Sequence, residues 1–158
     1  MRFDIILLVS GLSFAITSCE KKDDTYRGPH AGSMNYYFKA TIDGVSYTGS
    51  NISGNYDAGD ISKVLAGINF KGRQYSMIVA MGEYNGAGKY SKQPGTQILL
   101  GDAADTYTSK DSEPVSIEVT SEEGQDVFGK FSGKLYNTQD LSEDITIAEG
   151  SFHTWWSK

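Results

Sequence analysis

The chain has 158 residues, a formal net charge of −6, 18 glycines, 3 prolines and one cysteine. That length accommodates one domain and a tether, and a domain of this size buries a core without disulfides or a structural metal. The acidity repels phosphate backbones, which argues against nucleic acid as a partner, and a lone cysteine cannot form an internal bridge.

Residues 1–18 read as a lipoprotein signal peptide. Arg2 is the only basic residue before an apolar run over 5–16, which is too short to span a bilayer as a helix. The run ends in Ile16-Thr17-Ser18-Cys19. Small residues just before a cysteine resemble the bacterial lipobox, which implies that Cys19 carries the lipid as the first residue of the mature chain. Asp4 departs from the purely positive leader. The cluster Glu20-Lys21-Lys22-Asp23-Asp24 resembles the export tag of Bacteroidota-type lipoproteins, which directs them to the outer face of the outer membrane; it equally suits a solvated spacer. Residues 19–33, with Gly28, Pro29, Gly32 and Ser33, read as a flexible tether with a reach of roughly 20 Å. The membrane is thus an expected partner, through the anchor, and 34–158 is the domain.

From residue 34 onward, apolar residues recur with period two and none of the segments keeps a helical spacing. Over 36–49, Asp43-Gly44 suits a two-residue type I′ turn that pairs Ile42 with Val45, Ala40 with Tyr47 and Phe38 with Gly49. Phe38, Ala40, Ile42, Val45 and Tyr47 then share one face. A second hairpin joins 62–70 to 73–81 through Lys71-Gly72. It pairs Ile68 with Tyr75, Ala66 with Met77 and Val64 with Val79, while Leu65 and Ile78 pair on the opposite face and predict cover on both sides. A third joins 115–121 to 125–136. Glu122-Glu123-Gly124 read as a three-residue loop with a glycine bulge pairs Val119 with Val127, Ile117 with Gly129 and Val115 with Phe131. A last strand over 145–156 changes phase between Ile147 and Phe152, predicting a bulge at Glu149-Gly150. Shorter strands are expected at 51–56, 89–91, 97–100 and 106–108. The fold class is all-β, an antiparallel β-sandwich or partly closed barrel of about eight to ten strands.

Four stretches carry a resemblance: Phe38-x-Ala40-x-Ile42-Asp43-Gly44, Gly88-Lys89-Tyr90, Gly129-Lys130-Phe131-Ser132-Gly133, and Ile145-Thr146-Ile147-Ala148-Glu149-Gly150-Ser151-Phe152. Over roughly 35–153 the chain resembles a family of small Bacteroidota-type surface lipoproteins with an all-β domain of unknown function. The resemblance implies the fold and an outer-membrane location. It implies no catalytic residue.

The residues for most chemistries are missing. The histidines are His30, in the tether, and His153, so no His/Cys zinc cluster can form once Cys19 carries lipid. Asp57 and Asp60, or Asp102 and Asp105, lack the spacing of a calcium loop and read as turn acids. A serine triad would need His153, and the Gly-x-Ser-x-Gly elbow does not occur. Gly86-Ala87-Gly88-Lys89-Tyr90 has no following helix and a tyrosine where a phosphate loop needs Ser or Thr. No catalytic, cofactor or metal site is therefore expected.

Aromatic residues are the remaining handle. Trp155 and Trp156 are adjacent in a strand, so their indoles point to opposite faces and one of them faces out or caps an edge. A sugar ring stacks well on such an indole; the alternative is that both close the core. The acidic loop 101–114, with Tyr107 near its middle, is a second candidate surface or a crossover between sheets. The expected function is a lipid-anchored, non-catalytic binding or display module that contacts a glycan or an envelope protein through Trp155, Trp156 or Tyr107. The alternatives are a barrel carrying a small apolar ligand and a cryptic hydrolase.

Overall fold

The computed structural model describes residues 35–57 and 59–157. The expected signal peptide, Cys19, His30 and the tether lie outside the described residues. The first half of the domain forms β1 (Tyr37–Ile42), β2 (Val45–Thr48), β3 (Ser50–Asn55), β4 (Ile61–Phe70) and β5 (Arg73–Glu83). Then come β6 (Gly88–Tyr90), β7 (Thr96–Gly101), β8 (Thr106–Thr108), β9 (Ser116–Glu123), β10 (Asp126–Asn137) and β11 (Asp144–Ser157). The fold is all-β, with eleven strands among the described residues because the two three-residue segments both pair.

The strands bond in the order β2-β1-β11-β3-β4-β5-β7-β8-β10-β9-β6, and β10 also pairs with β11. That extra pairing makes β11, β3, β4, β5, β7, β8 and β10 a partial ring, extended by β1 and β2 on one side and by β9 and β6 on the other. The sheet is mixed where an antiparallel one was expected, since β11 and β3 run parallel at Trp156↔Gly54 and Ser157↔Asn55. The reason is topological. An odd-numbered circuit of strands cannot alternate direction all the way round, so one parallel pair is obligatory.

The first two hairpins have the register that their turns dictate. Asp43 and Gly44, and likewise Lys71 and Gly72, all take positive φ, as two-residue I′ turns require. Ile42↔Val45 and Ala40↔Tyr47 pair in one hairpin, and Ile68↔Tyr75, Ala66↔Met77 and Val64↔Val79 in the other. Val45 departs from the expected core face and is 54% exposed at the hairpin tip. Leu65 and Ile78 pair, and both are half-buried on the outside of the ring.

The third hairpin is tighter than the three-residue reading. Gly124 and Gln125 make the turn, with only Gly124 at positive φ, so Glu122 pairs with Val127. A bulge at Thr120 then brings Val119 opposite Gly129 and Ile117 opposite Phe131, each shifted by two residues from expectation. An even shift preserves the pleat. Val115, Ile117, Val119, Val127 and Phe131 accordingly all face the core, at 3% exposure or less.

The bulge in β11 falls at Ala148-Glu149, one residue before the expected place, and lets Ile147 and Phe152 both face inward. Glycines on β10 and β11 make room for the core phenylalanines across the ladder. Gly129 pairs with Phe152 and Gly150 with Phe131, and a Cβ at either glycine would overlap the facing ring. Phe38 packs on Phe131 with centroids 5.1 Å apart.

Candidate functional site

Trp156 is fully buried. Its ring lies so close to β3 that a Cβ at Gly54 would strike it, and its backbone N–H donates to Gln125 O at 2.8 Å. Tyr107 is also fully buried, with its hydroxyl donating to Glu143 Oε1 at 2.6 Å and accepting from Lys71 Nζ at 2.9 Å. Neither residue can belong to a ligand surface as expected. Alternation along the strand put one of the two indoles outside, and the acidity of loop 101–114 suggested a surface for Tyr107; long-range pairing draws Trp156 and Tyr107 inward.

Around Tyr107, loop 101–105 closes one end of the ring with ionic contacts. Arg73 bonds Asp102 at 3.3 Å and Asp105 at 3.1 Å, and Asn137 Nδ2 donates to Asp105 Oδ1 at 2.9 Å and Glu143 Oε2 at 3.2 Å. Lys71 and Tyr107, as hydrogen-bond donors, hold the Glu143 carboxyl below its ordinary range. Asp102 Oδ1 accepts from the Ala104 and Asp105 N–H groups, so this pair of acids serves the turn. Among the described residues, no group of three His, Cys, Asp or Glu side chains stands together as metal ligands would.

Trp155 is the exception among the expected residues. It points outward, half-buried, with its indole N–H donating to Gln125 Oε1 at 2.8 Å. Strand pairing then assembles an aromatic face that the sequence reading missed. Phe128 of β10, His153 of β11 and Tyr37 of β1 lie side by side in register on the outer surface. Phe128 stacks on His153 at 4.0 Å between centroids, and Tyr36 and Tyr37 meet the imidazole edge-on at 5.1 and 6.0 Å. Asp126, opposite Trp155, bonds His153 Nε2 at 3.1 Å.

The imidazole is therefore a keystone, only 7% exposed, that fixes three half-buried rings about it. Burial, then the charge of Asp126, raises the Tyr36 hydroxyl above its ordinary pKa, so it stays a neutral donor. The next row along the same face is polar: Glu118, Lys130, Ser151, Lys39 and Thr48 stand in register across β9, β10, β11, β1 and β2. No family model, curated protein or solved structure matches this chain.

The chemistry of the face follows from these neighbours. Rings held rigid by packing offer apolar area at low entropic cost, and the Tyr hydroxyls add polar tips beside the Trp155 indole, whose N–H is given to Gln125. Alternation of Phe128 with Val127 and Gly129, and of Tyr37 with Phe38, was the available signal that these two rings point away from the core.

Proposed function

We propose that the chain is a non-catalytic binding module, held by lipid at Cys19 on the outer face of a bacterial outer membrane, and that its aromatic face holds a neutral sugar. The observation that carries this reading is the in-register row Phe128–His153–Tyr37 with Trp155 beside it. Pyranose rings present C–H groups that stack on such rings, and hydroxyls that the neighbouring row of Lys39, Ser151 and Lys130 can bond.

The two competing classes have less support. Trp156, Tyr75, Tyr107, Phe38 and Phe152 fill the ring, taking the space that an apolar cargo would need. A glycoside hydrolase needs a carboxyl kept protonated in a cleft, whereas Glu143, beside Tyr107, is held ionised by Lys71 and Tyr107.

A glycan array tests the reading, with hits then titrated against the Trp155→Ala and Tyr37→Ala variants of the full chain. The expected result is a neutral-glycan hit whose affinity falls about tenfold or more in Trp155→Ala, as loss of a central aromatic anchor does. A hit that survives both substitutions would leave an envelope protein as the better partner for this face. The anchor is tested separately: Cys19→Ser should move the protein from the membrane fraction to the soluble one.

A further inference from the structure

A cleft of about 680 Å³ lies between the loop from β6 to β7 and the loop from β8 to β9. Its size falls within the roughly 300–1,000 Å³ of small-molecule sites, and it shares no residue with the aromatic face. Both walls are pre-formed. Pro94 and Pro114 stiffen them, and the first wall is seated on β5 so closely that a Cβ at Gly82 would overlap the Pro94 carbonyl. The second wall is tied by Glu113 N–H donating to Lys110 O at 3.1 Å and by Tyr136 donating to Glu113 Oε1 at 2.6 Å.

Among the residues that line the cleft, lysines outnumber acids. In a chain with 20 acids against 14 basic residues, the lining residues hold Lys92 and Lys110 against Asp111, and the Glu113 carboxylate of the second wall is engaged by the Tyr136 hydroxyl. The Lys110 ammonium stands 3.3 Å from the centroid of the Tyr136 ring, which orients the cation and leaves its charge in place. Around the lysines the lining is mainly hydroxyl and amide. Thr96 Oγ1 donates to Met81 O at 3.2 Å and Ser109 Oγ accepts from Ile98 N at 3.3 Å, while Ser91 and Ser112 add two further hydroxyls.

We infer that this cleft binds a sugar carrying a carboxylate, with Lys92 and Lys110 taking the anion and the serine hydroxyls the ring. A bare carboxylate would fill little of the volume, and a neutral sugar would make no use of the lysines. The site is independent of the aromatic face and of the function proposed for it.

The test is an NMR titration of the ¹⁵N-labelled full chain with galacturonate, galactose and acetate in parallel. Galacturonate should shift the amides of 91–96 and 109–115, weaken as salt is added, and bind about tenfold more weakly to Lys92→Ala, as loss of a charged hydrogen bond does. Trp155→Ala should leave it unchanged. The inference is overturned if galactose or acetate binds as tightly as galacturonate. It is equally overturned if the shifts fall elsewhere or are absent, or if Lys92→Ala binds as the wild type does.

Discussion

Gly150 and Phe131 show how single residues set this core. The phenylalanine ring occupies the space over the glycine across the ladder, so Gly150→Ala should destabilise the fold by about 1–3 kcal/mol, as overpacking does. Phe131→Ala should cost about 3–5 kcal/mol. Lys130, exposed on the opposite face, should cost within about 0.5 kcal/mol when changed to Ala. Urea unfolding of the three variants checks the set, and equal losses for Phe131→Ala and Lys130→Ala would contradict the assigned faces. Titration of the ring's closed end gives a second residue-level expectation. Lys71 and Tyr107 depress Glu143 below its ordinary 4.5, so its stabilisation is full above that value and lost as pH falls through the lower folded one. Tyr107 is raised above 10.0, by burial first and by Glu143 next, and Lys71 is raised above 10.5 by Glu143 and Tyr107. Their stabilisation is full below about pH 10 and lost as pH rises through the folded values. Melting temperature against pH should therefore fall on both sides of a plateau, and Glu143→Gln should flatten the acid limb.

The hairpins differ in how openly they are written. Asp43-Gly44 and Lys71-Gly72 each sit between alternating runs, and a two-residue turn permits one register, so turn and pattern both point to the pairing found. Glu122-Glu123-Gly124 fits a three-residue loop equally well, and a bulge at Thr120 leaves no mark in the sequence. The register was therefore misread by two residues while the core face came out right. Gly124 takes positive φ in the actual turn, as it would in the three-residue loop, so Gly124→Ala should cost about 1–2 kcal/mol and near neutrality would contradict that conformation. Thermal melts of the variant provide the check. The same distinction explains the misplaced site residues. Period two separates Trp155 from Trp156, yet nothing local reveals that Gly54 of β3 and Tyr84 will cover the second indole. Nor does anything local bring Tyr36 and Phe128 onto His153, because one contact joins the two ends of the domain and the other joins neighbouring strands.

At the scale of the whole molecule, a partial ring with a filled interior leaves the outside as the working surface. The aromatic face spans β10, β11 and β1, and the cationic cleft lies between two loops. Stability should not depend on a metal. The melting transition of the full chain should be the same with and without EDTA, and a drop would contradict a core held by packing alone. The central claim is that the aromatic face, through Trp155, contacts sugar. The most direct measurement is tryptophan emission during titration with a glycan identified on the array, because Trp155 is half-exposed and Trp156 is fully buried. A saturable blue shift that disappears in Trp155→Phe and persists in Trp156→Phe is the predicted result; a shift that survives Trp155→Phe, or no glycan that binds at all, would contradict it.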